Sequence, residues 1–147
     1  MTMSQQLYDK DFHAWTQEQV ALLKAGRLSE IDVEHLAEEV ESMGISERRE
    51  LESRLKVLLQ HLLKWQFKPA AQSSGWTGTI DEQRYPLDIL LRQSPSLKPL
   101  VDEAMEFAYP PARRAAGRET HLPVDIFPES CPYTTDQVLD PDFWPAA

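Results

Sequence analysis

From Val33 to Trp65 the chain keeps one apolar stripe in helical phase. Leu36, Val40, Met43, Leu51, Leu55, Leu58, Leu62 and Trp65 recur at three- and four-residue steps, the spacing that stacks side chains on one face of a helix. The phase survives Gly44, so the stripe predicts a single helix of about 36 residues, roughly 54 Å long. A kink or break at Gly44 is the alternative, because glycine costs about 1 kcal/mol relative to alanine inside a helix and Ser46 can cap a second one. A rod of this length constrains the fold to an all-α protein built round a central spine. It implies no reaction.

The flanking segments supply the rest of a bundle. A first helix is expected from about Asp9 to Ala25, capped by Asp9 or Asp11, with Tyr8, Phe12, Trp15, Leu22 and Leu23 buried and Gly26 ending it. Asp32 is the best cap for the long helix, with Ile31 and Leu36 spaced as a hydrophobic staple. Phe67 to Gly75 reads as a loop. A third helix follows from about Trp76 to Gln93, interrupted by Pro86. Ser94-Pro95-Ser96 forms a capped turn into a fourth helix that buries Leu97, Val101, Ala104, Met105 and Ala108. Pro110-Pro111 should bend or end it near Tyr109, with Ala112–Gly117 as a short continuation. The segment after residue 118 is proline-rich yet carries Phe127, Tyr133, Val138, Phe143 and Trp144, too apolar for a free tail. Thr134 and Gln137 have the spacing of a capping box for one short turn. The expected architecture is one helical domain over 1–147: a four-helix bundle-like body at about 7–118, and a proline-rich tail at about 119–147 packed on it.

Composition narrows the function classes. Acids outnumber bases 24 to 15, a net charge of −9, which repels nucleic acid and anionic membranes at long range. No apolar run reaches the length that spans a bilayer, and the polar start Met1–Lys10 has no secretory core. Cys131 is the single cysteine, so no internal disulfide forms, which fits a reducing compartment. A cytoplasmic protein is expected.

Several segments carry a resemblance: Leu7-Tyr8, Asp11-Phe12, Ala14-Trp15-Thr16, the run Glu38 to Gly44, Glu50 to Leu55, His61 to Trp65, Ser94 to Leu97 and Phe127-Pro128-Glu129. On these the chain resembles the bacterial family known as domain of unknown function 29, nearly from end to end. The resemblance implies a small helical bacterial protein. It implies no activity and transfers no catalytic residue.

No pattern of established chemistry emerges. Glu38, Glu39 and Glu41 spread round the helix as a solvated acidic face rather than a metal site. Asp32-Val33-Glu34-His35 is the nearest approach to the Glu-x-x-His pairs of di-iron bundles, and its end residues fall outside the apolar stripe. Cys131 has no adjacent base, and His13 and His35 carry no ligand spacing. No catalytic residue, metal site or cofactor is expected. Two polar groupings remain. Glu47, Arg54 and His61 share one line along the stripe at seven-residue spacing, a candidate polar network. Lys64, Lys68, Arg113, Arg114 and Arg118 should gather at one end of the bundle as a candidate basic patch. The expected function is that of a non-enzymatic protein-interaction protein, with another protein as its partner. The alternative is a nucleic-acid-directed, toxin–antitoxin-like protein that uses the basic patch.

Overall fold

Short polar side chains decide where these helices begin. In the computed structural model, which describes residues 2–147, every element is helical. Helix α1 (Met3–Lys10) opens on a reciprocal capping box between Thr2 and Gln5. Helix α2 (Phe12–Lys24) opens on Asp11, whose carboxylate accepts the Ala14 N–H at 3.0 Å. The single first helix expected from Asp9 to Ala25 is therefore two. Asp11 takes φ −152°, ψ 87°; its own N–H closes α1 on the Leu7 carbonyl while its side chain starts α2. A short carboxylate competes well enough with the helical backbone to part the two. Beyond α2 the chain turns at Gly26, whose φ of +72° suits a residue without Cβ.

Helix α3 (Val33–Phe67) runs unbroken for 35 residues. The continuous reading through Gly44 holds, and Asp32 caps the helix as expected by accepting the His35 N–H. The stripe is not buried along its whole length. Leu51, Leu55, Leu58 and Leu62 are buried, but Val40 and Met43 are 65% and 68% exposed. Periodicity assigns residues to one face. It does not supply a neighbour to cover that face.

Helix α4 (Ser74–Gln93) starts two residues before the expected position because Ser73 caps it. A 3₁₀ helix, Pro95–Leu100, leads into α5 (Val101–Thr120). Ser94 makes no capping bond there; its hydroxyl donates to the Glu47 carboxylate instead. Of the bend or end expected near Tyr109, the end does not occur: α5 continues through Pro110-Pro111 to Thr120. The two carbonyls that lose their donors belong to Glu106 and Phe107, both on exposed residues, where water can satisfy them.

The chain forms two compact units, one ending at Ser46 and one spanning Glu47–Ala147. The first unit holds α1, α2 and the start of α3, and among its described residues buries one large apolar side chain, Trp15. The second holds a contiguous core: six leucines of α3 from Leu51 to Leu63, then Ile80, Leu87, Leu90 and Leu91 of α4, and Val101, Met105 and Tyr109 of α5. Ala104, Ala108, Ala112 and Ala116 repeat every fourth residue of α5 and are all buried, which lets neighbouring elements approach closely.

The tail closes this core. Phe127, Tyr133 and Val138 are buried in it, and helix α6 (Thr135–Leu139) begins with the expected Thr134–Gln137 capping box. The tail passes close to Gly117, where an added Cβ would be in ordinary van der Waals contact with the Leu122 carbonyl oxygen at 3.4 Å. Side chains of the bundle then hold the tail by its main chain. Arg113 donates to the Phe127 carbonyl at 3.0 and 3.1 Å, Tyr109 to the Pro128 carbonyl, and Arg84 Nε to the Val138 carbonyl at 3.0 Å. Trp144 packs against Trp65 with ring centroids 4.9 Å apart.

Candidate functional site

The first unit is organised by one buried carboxylate. Asp32 sits at the α3 N-terminus, where its Oδ1 caps the helix. Its Oδ2 accepts the Trp15 indole N–H at 3.1 Å and His35 Nδ1 at 2.6 Å. The Asp32 backbone N–H donates to Gln19 Oε1 at 2.7 Å. Tyr8 stacks on the His35 ring at 3.9 Å and donates its hydroxyl to Glu39. Burial works to raise the Asp32 pKa, but the bonds from His35 and Trp15 outweigh it and hold the carboxyl below its ordinary value. The same bond raises His35 against the opposing effect of its own burial. The pair is thus an ion pair over a widened pH range, with both Asp32 carboxylate oxygens and His35 Nδ1 engaged within the unit. It pins α1 and α2 onto the start of α3.

Sequence reading passed over this cluster. The signal was the Asp32-x-x-His35 spacing at a helix start, where the cap and a side chain one turn on share a face. The spacing identifies Asp32 as the cap, but it offers His35 only as half of a weak metal pattern and not as the partner of that carboxylate. Among the described residues, no three His, Cys, Asp or Glu side chains gather as a metal site.

The second unit places the two polar groupings. Glu47 accepts from Ser94, Arg54 bonds Glu50 at 3.0 Å and Gln83 at 3.3 Å, and His61 Nδ1 meets the Val57 carbonyl at 2.9 Å. No hydrogen bond or ion pair joins the three to one another among the described residues. Burial pushes the His61 pKa down, which keeps the ring neutral.

Of the five cations, three already have internal partners. Lys64 is buried, bonded to Glu119 at 2.5 Å and set 4.8 Å from the Trp76 ring centre. Lys68 donates to the Thr120 carbonyl at 2.6 Å, and Arg113 to that of Phe127. Arg114 and Arg118 are exposed. Arg84 belongs to no sequence-based candidate, because an arginine in a helical pattern reads as surface. It is buried because the tail's carbonyls come to it, and the desolvation lowers its pKa.

A cavity of about 620 Å³ opens beside α5, walled by Met105, Tyr109, Cys131 and Tyr133 with Asp102, Glu106 and Glu129 at its lining. Burial raises the Cys131 thiol, so it stays protonated and a poor nucleophile.

The most extensive unsatisfied feature is apolar. Of the thirteen large apolar side chains that stand exposed among the described residues, nine precede Ser46: Met3, Phe12, Val20, Leu23, Leu28, Val33, Val40, Met43 and Ile45. That unit is under a third of the chain, so the exposure is concentrated there.

Comparison with known proteins comes down to one match. The family model described as "Domain of unknown function DUF29" covers residues 7–144, and the chain belongs to this family. No curated protein and no solved structure matches it.

Proposed function

We propose that this member of the DUF29 family is a non-enzymatic protein-interaction protein, and that its first unit is the docking element. The observation that carries the reading is the clustering of exposed apolar side chains before Ser46. A helical unit this small buries too little surface to be secure alone, and here Trp15 is the one buried large apolar side chain among its described residues. A surface rich in apolar groups within a chain of net charge −9 fits contact with another protein. The second unit, by contrast, has its core closed by its own tail. Internal partners for Lys64, Lys68 and Arg113 weigh against the nucleic-acid alternative, since phosphate binding needs free cations.

The test is site-directed photocrosslinking of the full chain in its native host. A photoreactive residue at Val40 or Met43 should trap a protein, while one at Tyr85 or Phe107 in the second unit should trap little. Equal trapping at all four positions would remove the basis for the reading. A salt-sensitive gel shift with RNA or DNA, abolished by charge reversal at Arg114 and Arg118, would replace it with the alternative.

A further inference from the structure

We infer that the surface on the first turns of α3 takes a basic amphipathic helix of the partner protein. The inference rests on the interaction reading above and adds the partner's chemistry. At 100° per residue, Val33, Leu36, Ala37, Val40, Met43 and Gly44 fall within an arc of about 120°. This is the three-and-four spacing of a helix-packing seam. Val33, Val40 and Met43 are 65%, 65% and 68% exposed, and a Cβ on Gly44 would meet nothing within 4 Å. Packing within the unit uses a different side of the helix, where Tyr8 and Trp15 meet Asp32, His35 and Glu39. The seam covers 12 residues, roughly 18 Å, which matches about three turns of a partner helix.

Charge selects among the occupants. Glu34 and Glu41 flank one edge of the seam and Glu39 the other, and Val33–Ser46 contains no lysine or arginine. Nine of the chain's carboxylates, against three of its cations, precede residue 47, so the first unit carries most of the net charge. A second copy pairing through this segment in either direction would set carboxylate against carboxylate, which destabilises paired helices. Phosphate backbones and anionic lipid are repelled for the same reason. A helix with apolar residues on one face and Lys or Arg at its edges satisfies both the seam and its rims, in the helix-in-groove manner of peptide recognition.

The test uses the full-length protein and two fluorescent peptides of about 14 residues. Both carry leucine at the seam positions; one has lysine and the other glutamate at the flanks. Anisotropy titration should show the lysine peptide binding at least roughly tenfold tighter. Val40→Asp and Met43→Asp should each abolish that binding. Because both substitutions make the protein more acidic, a merely electrostatic association would strengthen instead, and that result would overturn the proposal. Glu34→Gln with Glu41→Gln should shrink the preference between the peptides. Equal affinity for the two, or self-association in sedimentation that Val40→Asp removes, would also overturn it, the latter by making a second copy the occupant. If crosslinking at Val40 traps a host protein while neither peptide binds, the docking surface stands and the basic-helix assignment falls.

Discussion

Leu58 and Val40 lie on the same stripe of the same helix, and their truncation should have very different consequences. Leu58 is 0% exposed. Leu58→Ala removes three carbons, worth about 2.4 kcal/mol at about 0.8 kcal/mol per buried methylene. The cavity left in a closed core raises this to about 3–4 kcal/mol. Val40→Ala removes two carbons from a side chain with about a third of its surface covered, so the loss is about 0.5 kcal/mol by the same scale. Urea unfolding of each variant, followed by helix circular dichroism and tryptophan fluorescence, gives both values. Three of the four tryptophans, Trp65, Trp76 and Trp144, lie in the second unit, so fluorescence chiefly follows the unit that Leu58 supports. A drop of roughly 12 °C in its melting temperature is expected for Leu58→Ala. Equal losses for the two substitutions would refute the reasoning, because Val40 would then be covered in solution. A concentration dependence of that loss would identify a second copy as the cover.

Three further outcomes follow from the polar contacts and the tail. Glu119→Ala should destabilise more than Lys64→Met, by about 1–2 kcal/mol in urea unfolding, because it leaves a buried ammonium and Gln60 without their acceptor while the methionine leaves no buried charge; the reverse order would show that Lys64 is solvated. In the first unit, the raised His35 pKa means its stabilisation is complete below the ordinary value of 6.5 and is lost as pH climbs through the higher folded value; the lowered Asp32 pKa means its share is complete above the ordinary 3.8 and is lost as pH falls through the folded value. Protection of α1 and α2 amides, taken relative to the intrinsic exchange rate at each pH, should therefore be greatest between those two limits, and His35→Gln should flatten the alkaline side; an unchanged alkaline limb would exclude His35 as its source. Deleting residues 140–147 removes Trp144 from Trp65 and should lower the melting temperature, whereas unchanged stability would show that this contact contributes nothing.

What the sequence made legible was the pattern within each helix, and what it hid was competition and coverage. Leu51, Leu55, Leu58 and Leu62 were readable as core because regular spacing and large apolar side chains agree there. Val40 and Met43 obey the same spacing and stand in solvent, since a period cannot report whether anything lies opposite. Asp11 was recognised as a cap, but not that it would end one helix while starting another. Pro110-Pro111 reads as a bend or an end because a lost hydrogen bond is costly in a dry interior, but the affected carbonyls belong to exposed residues. Arg84 and the Asp32–His35 pair were invisible for a related reason. Their burial comes from residues 17 and 54 positions away, Trp15 and Val138, and no local pattern encodes that.

The way the tail is held has an evolutionary consequence. Arg84, Arg113 and Tyr109 grip carbonyl groups of the backbone, and every amino acid offers the same carbonyl. The residues at Phe127, Pro128 and Val138 need keep only their shape and apolar bulk, so the spelling of the tail is free to drift between generations. The three donors have no such latitude. Lysine in place of either arginine would lose the planar fork that reaches its acceptor, and phenylalanine in place of the tyrosine would leave the Pro128 carbonyl without its hydroxyl. In a lineage of such chains, the heritable instruction for where the tail lies is written in the helices that receive it.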